Sequence, residues 1–163
     1  MAIHEIKGKS DEWYTPKYIF EALGVQFDLD VASPKQETFV PAKQFITEES
    51  LKKEWKGFVW MNPPWCNTKS KMDWIKKFII HGNGIGLMPD STSAEWWQFF
   101  ADNSDAILQT NHRIKFYKPD GSTGDNPANG TTLFAKGIMA VEGLLNAEKK
   151  GLGKVFFPNT INH

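Results

Sequence analysis

Residues 57 to 67 read GFVWMNPPWCN. Over Asn62, Pro63, Pro64 and Trp65 the sequence sets a hydrogen-bonding amide, a rigid turn and an aromatic face in a row. Both prolines lack a backbone N–H and fix φ, so they end the apolar run Phe58 to Met61 rather than extend it. Asn62 is held extended by the proline after it. A plain strand exit accounts for that much. Chemistry enters through position: in open α/β sheets the ends of strands are where ligands bind. An amide and a π-face placed there are equipped to hydrogen-bond and to stack. Earlier in the chain, VQFDLDVAS carries two acids of the same strand parity, Asp28 and Asp30.

These residues need elements to hold them. YTPKYIFEALG has helix punctuation, with Thr15 as cap, Pro16 at the first helical position and Gly24 just past the end. Tyr18, Ile19, Ala22 and Leu23 give that helix its apolar face. Alternation of Val25, Phe27, Leu29 and Val31 with polar residues reads as a strand. Residues 34 to 46 read as irregular, and TEESLKKEW as a short helix capped by Thr47. GFVWM is the next strand. KMDWIKKFII is a helix with Met72, Ile75 and Ile79 on one face, and GIGLMP is a further strand. Thr92 and Glu95 have the spacing of a capping box ahead of AEWWQFFA. Trp96, Trp97, Phe99 and Phe100 sit there at helical spacing, which assigns them to core rather than to base stacking. DAILQT, IKFY, TTLFAKG and KVFF read as strands, KPDGSTGDNPANG as a long polar loop, and VEGLLNAEKK as a helix. Strands alternating with helices argue an α/β fold with a mostly parallel sheet and helices on both faces. Closer spacing of the later strands points to some antiparallel pairing at one end.

Bulk properties narrow the field. A chain of 163 residues suits one domain, read here as residues 11 to 157 after a mobile start at 1 to 10. Forty per cent apolar content excludes a disordered chain. Formal net charge is zero, so a nucleic-acid surface, if present, is local. A lone cysteine, Cys66, excludes an internal disulfide framework and fits a reducing, cytoplasmic compartment. The histidines show no metal-ligand spacing, so no metal is expected. No signal peptide is visible, and no apolar run approaches the ~20 residues of a membrane span.

Three features stand in order: a Trp-Tyr-Thr-Pro helix start, an acidic strand, and a strand ending in NPPW. This set resembles the S-adenosylmethionine-dependent amino methyltransferases of DNA, and more narrowly the small phage-type DNA N6-adenine methyltransferases. The resemblance extends over most of residues 11 to 137. EWYTPKYIFEAL is similar to the segment that precedes the cofactor strand in that family, FDLDVAS to the acidic cofactor strand, and WMNPPW to the catalytic (Asp/Asn/Ser)-Pro-Pro-aromatic motif. HRIKFYKPDG and GTTLFAKG are similar to its later segments. The resemblance implies a Rossmann-like methyltransferase sheet, a phage or prophage source in a bacterial cell, and methylation of the restriction-modification kind or of another purpose.

It also implies roles. Adenine N6 is a poor nucleophile because its lone pair is conjugated into the ring. The Asn62 side-chain oxygen and the Pro63 carbonyl would accept from its two N–H bonds, and the prolines would keep both acceptors aimed. Trp65 offers the flipped base a face to stack on. Asn62 cannot act as a general base, so its role is orientation and polarisation, with the proton leaving to water after direct transfer. Cys66 is a bystander. Asp30 would accept from the methionine ammonium of S-adenosylmethionine, and Asp28 would share that role or bind the ribose. Trp13, Tyr14, Thr15 and Pro16 would wall the methionine end. After the acidic strand the sequence departs from the wider superfamily: Ala32 and Ser33 stand where glycines of a G-x-G loop would be. Ribose and adenine contacts fall by default to Glu48 or Glu49.

For double-stranded DNA, Lys69 and Lys71 in NTKSK lie next to the catalytic turn, and Arg113 and Lys115 in NHRIK are further candidates for phosphate contacts. A solvated basic face is the plain alternative for each. No separate target-recognition domain fits this length, so recognition falls to loops or to a dimer; monomer and homodimer stay open. Two other functions compete. One is an amino methyltransferase with a different planar acceptor, such as cytosine N4, RNA adenine or protein glutamine. The other is a degenerate methyltransferase fold that only binds nucleic acid or a partner.

Overall fold

The computed structural model describes residues 13–35, 38–65, 67–124 and 127–159. The expected mobile start at 1 to 10 and Cys66 lie outside the described residues. Seven strands form one sheet: β1 Phe27–Asp30, β2 Ala42–Phe45, β3 Val59–Met61, β4 Gly84–Pro89, β5 Ala106–Thr110, β6 Thr131–Lys136 and β7 Gly153–Phe156. Four helices accompany them: α1 Lys17–Leu23, α2 Thr68–His81, α3 Glu95–Asp102 and α4 Ile138–Lys149.

The strand order is β2-β1-β3-β4-β6-β5-β7. β1 pairs in parallel with both β2 and β3, and β3 in parallel with β4. From β4 onward every pairing is antiparallel, because β6 inserts between β4 and β5, and β7 adds to the outer side of β5. The sheet is thus parallel through its first half with antiparallel pairing at the other end, consistent with a Rossmann-like methyltransferase fold. Each face carries one pair of helices. Ile19, Phe20 and Leu23 of α1 and Ala140, Leu144 and Ala147 of α4 share a core with Phe27, Trp60, Ile85, Leu108 and Leu133. Trp74, Ile75 and Phe78 of α2 and Trp96, Trp97 and Phe100 of α3 share the other with Leu29, Val59, Met61 and Phe134. Phe100 and Phe134 stack with ring centroids 3.9 Å apart. The tryptophan-rich helix is thus core, as its spacing indicates.

Topology locates the site. From β1 the chain steps outward to β2, then returns to β3 on the other side of β1. The order reverses between β1 and β3, and the crevice beyond their carboxyl ends is the place where open α/β sheets bind ligands. Asp30 is the last residue of β1, and Asn62 follows the last residue of β3. Asp30 stands in register with Trp60, two positions before Asn62.

Several local expectations are corrected. Residues 34 to 46 are not wholly irregular, since Ala42–Phe45 forms edge strand β2. TEESLKKEW yields only one 3-10 turn, Ser50–Lys52, without a Thr47 cap; Glu49 ahead of it is left-handed at φ 50°. Pro16 is the N-cap of α1 rather than its first residue, and no side chain caps that helix. Gly24 closes it in the left-handed conformation at φ 64°, as expected. Helix α3 starts from Ala94 with no side-chain cap, so the Thr92–Glu95 box does not form. The buried face of α2 is Trp74, Ile75 and Phe78, with Met72 and Ile79 only half-buried. IKFY forms no ladder; its Tyr117 makes isolated bridges to Tyr14 and to Thr123.

Candidate active site

Three stretches distant in sequence meet over the β1/β3 crevice. The turn after β3 presents half-buried Asn62, buried Pro63, and exposed Pro64 and Trp65. Ahead of α1, Tyr14 and Tyr117 exchange backbone hydrogen bonds of 2.8 and 3.0 Å. Tyr117 also bridges Thr123, and the Gly124 N–H donates to the Phe116 carbonyl at 3.1 Å. Residues 113 to 124 are thus folded back on the Trp-Tyr-Thr-Pro segment.

Asn62 is tied to this assembly by its side chain. Its Nδ2 donates to Thr15 Oγ1 at 3.3 Å. Thr15 is 4% exposed. With the nitrogen engaged there, Asn62 Oδ1 remains as an acceptor at the strand end. The expected helix cap does not form, because Pro16 and not Thr15 occupies the N-cap position of α1, and the Thr15 hydroxyl meets Asn62. Trp65 stands nearly perpendicular to Phe116, with centroids 5.7 Å apart and planes at 88°. Phe116 is buried and braces Trp65, while part of the Trp65 ring stays accessible.

Asp30 is 3% exposed at the end of β1. Its Oδ1 accepts from the Ala32 N–H at 3.1 Å, in a tight turn through Val31 and Ala32. Burial pushes its carboxyl up to about 7, against the opposing effect of hydrogen bonds from Ala32 and Ser33. Among the described residues no lysine or arginine forms an ion pair with it. A buried acid with no cation at a sheet's ligand-binding edge suits a cationic ligand group.

Asp28 is differently placed. Its Oδ1 meets Lys43 Nζ at 2.9 Å and its Oδ2 accepts from the Phe58 N–H at 2.9 Å. Those bonds hold its carboxyl below the usual range and fasten β1 to β2 and to the start of β3. Asp28 is therefore not brought to the crevice beside Asp30. Trp13 packs over Gly124, where an added Cβ would come within 2.5 Å of its ring, and Lys118 Nζ lies 5.9 Å from the ring centroid. Lys35 Nζ lies 5.2 Å from the Tyr14 ring centroid. Glu48 is exposed, and Glu49 pairs with Lys52 at 2.7 Å.

Of the candidate DNA contacts, Lys69, Arg113 and Lys115 are exposed. Lys69 stands in the first turn of α2, whose cap is Asn67 accepting from the Ser70 N–H at 2.9 Å. Lys71 is half-buried with Nζ 5.2 Å from the Trp96 ring centroid. Arg113 donates to the Pro127 carbonyl at 3.1 Å. Two residues of the assembly escape sequence reasoning. Phe39 stands edge-on to Tyr117 at 5.8 Å, and Phe116 backs Trp65. Both act through long-range contacts, for which local periodicity carries no signal.

Among the described residues, no group of three or more His, Cys, Asp or Glu side chains could hold a metal ion. No helix there is long and apolar enough to cross a membrane. The family model for DNA N-6-adenine-methyltransferase (Dam) matches residues 3–144. A protein named DNA N-6-adenine-methyltransferase from Haemophilus phage HP1 (strain HP1c1) is 31% identical over 120 residues, covering 68% of each chain. No solved structure matches.

Proposed function

The chain belongs to the DNA N-6-adenine-methyltransferase (Dam) family, enzymes that methylate adenine N6 in DNA, and from that premise we propose how its own residues carry the reaction. The observation that carries the reading is the pairing of two strand ends. Asn62, with an acceptor oxygen left over, and Asp30, a buried acid without a cation, stand at the β1/β3 crevice. One suits a planar amine and the other an ammonium.

S-adenosylmethionine, the methyl donor that the family implies, supplies an electrophilic methyl group on a sulfonium. Asp30 would accept from its ammonium, which would offset the cost of holding that carboxylate out of water. Trp13, Tyr14, Thr15 and Pro16 would wall its methionine end, and the backbone of the Val31–Ala32 turn would border it. Asp28 is left out of this set because Lys43 and Phe58 already engage it.

Asn62 Oδ1 and the Pro63 carbonyl accept from the two N–H bonds of the target amine. This draws the nitrogen lone pair out of conjugation and aims it at the methyl carbon. With that donor bound, its sulfur would keep the electron pair of the C–S bond as the N–C bond forms, and the amine proton would then leave to water. Trp65 stacks on the adenine, with Phe116 bracing it. The base reaches this pocket from double-stranded DNA by flipping. Exposed Lys69 and Lys115 contact phosphates.

Digestion of treated DNA to nucleosides, followed by mass analysis, tests the acceptor. N6-methyladenine is expected. N4-methylcytosine in its place would transfer the same pocket to a different base.

A further inference from the structure

The structure assigns to Asp90 a part in choosing which DNA sequence is methylated: its carboxylate reads an amino group on a base next to the target. This rests on the proposed entry of a flipped adenine at Asn62, and it names the side chain that meets what stays in the duplex. Strand order places it. β1, β3 and β4 are consecutive parallel neighbours, so their carboxyl ends open on one edge. Asp30 ends β1, Asn62 follows β3, and Asp90 follows β4. Adjacent strands lie about 4.8 Å apart, so Asp90 flanks the amine acceptor on the side away from the cofactor acid. Depth separates it from the chemistry. Met61 pairs with Gly86, which sets Asn62 level with Leu87 and Asp90 three positions beyond. At about 3.3 Å per residue that is about 10 Å farther out. The Asp90 N–H donates to the Gly130 carbonyl at 2.8 Å, so the strand direction holds to that point. A flipped base passes inward while its neighbours stay outside. Asp90 stands at the level of those neighbours and touches no reacting atom.

The carboxylate is aimed by one oxygen and open at the other. Trp97 Nε1 donates to Thr132 Oγ1 at 3.2 Å, and Thr132 Oγ1 donates to Asp90 Oδ1 at 3.2 Å. Chemistry fixes the direction of this chain: an indole N–H only donates and an ionised carboxylate only accepts, so the hydroxyl does both. Trp97 and Thr132 are buried, whereas Asp90 is half-buried. Among the described residues Oδ2 has no hydrogen-bond partner, and neither oxygen has an ion-pair partner. Gly130 lies beside Oδ2, where an added Cβ would be 3.4 Å away, so that residue places no side chain over the oxygen. A fixed acid on a DNA-facing edge is repelled by every phosphate, so the partner that suits it is a hydrogen-bond donor on a base. The target adenine gives its own amine to Asn62 and Pro63. The donors left in the major groove are the N6 amine of an unflipped adenine and the N4 amine of cytosine.

A pool of duplexes with a fixed central adenine in randomised flanks tests the assignment. The pool is sorted by retention on the protein and, separately, by methylation, with the modified adenine located in each sequence. Wild type is expected to favour adenine or cytosine at one flanking position by about tenfold, the discrimination of one good base contact. Asp90→Ala brings that position within about twofold of no preference and leaves the other positions as they are, with S-adenosylmethionine affinity within about twofold of wild type. A purely structural role would lower all sequences alike. Wild type with no such position, or a preference that survives in D90A, overturns the proposal. A duplex whose base at that position lacks the exocyclic amine, purine for adenine or 2-pyrimidinone for cytosine, reads the contact with the protein unaltered. It costs wild type about tenfold and D90A no more than about twofold; no cost in wild type overturns the proposal. Selection by retention without any methyl transfer would count against the proposed acceptor and not against Asp90.

Discussion

At the scale of single residues, Asp30 carries the largest electrostatic cost at the site. In an unfolded chain its carboxyl titrates near the ordinary value of about 4, but burial raises it to about 7 in the fold. Below the lower value both states are protonated and the group costs nothing. Between the two, the folded chain holds a proton that the unfolded chain has released, so the contribution of Asp30 to stability falls as pH rises. Above about 7 the penalty is complete. Asp30→Asn should therefore raise the melting temperature relative to wild type by an amount that grows from about pH 4 to about pH 7 and then levels off, as thermal unfolding across pH would record. The same carboxylate is what an ammonium requires. Wild-type affinity for S-adenosylmethionine should rise with pH up to about 7, and Asp30→Asn should bind at least about tenfold more weakly with that pH dependence removed. Calorimetric titration on either side of that value separates these outcomes. A stabilised variant that binds as tightly as wild type would mean that the acid is spent on something else.

At the scale of elements, the site depends on how closely β3 and β4 approach. Gly84 stands in register with Val59, and an added Cβ would lie 2.5 Å from the Val59 carbonyl oxygen and 2.6 Å from its Cγ2. Both belong to a fully buried residue, so neither can move aside freely. Gly84→Ala should cost about 3 kcal/mol in urea unfolding, at the upper end for overpacking. The elements also show what a sequence can disclose. NPPW is legible as a strand exit because proline stereochemistry is local. The helices α2, α3 and α4 are legible from apolar spacing. Strand β2 is not, because AKQF at the sheet's edge is exposed at Lys43 and Gln44 and has no buried residue to give it a period. The cap expected of Thr15 does not form, since the N-cap position falls one residue later, at Pro16, and the Thr15 hydroxyl has a partner 47 positions away, at Asn62. Asp30 and Asp28 look alike by parity. What separates them is depth along β1: one lies at the strand's end, while the other meets Lys43 of β2 and Phe58 just ahead of β3.

At the scale of the whole molecule, a formal net charge of zero means that DNA must be held by a local arrangement of cations and not by a general field. Among the candidates, Lys69, Arg113 and Lys115 are exposed, but Arg113 donates to the Pro127 carbonyl and half-buried Lys71 lies near the Trp96 ring. Each phosphate contact contributes about −0.9 to the slope of log affinity against log salt. Lys69→Ala combined with Lys115→Ala should therefore make the slope shallower by about 2, as fluorescence anisotropy with duplex DNA would show; an unchanged slope would place the DNA elsewhere. The account as a whole makes Asn62, at the mouth of the β1/β3 crevice, the acceptor for the target amine. Its most direct test is transfer of labelled methyl from S-adenosylmethionine to unmethylated duplex DNA by wild type and by Asn62→Ala, with cofactor affinity measured for both. The account predicts N6-methyladenine from wild type and a loss of at least about 10²-fold in the variant at unchanged cofactor affinity. Equal turnover by Asn62→Ala, with the cofactor bound as tightly, would contradict it.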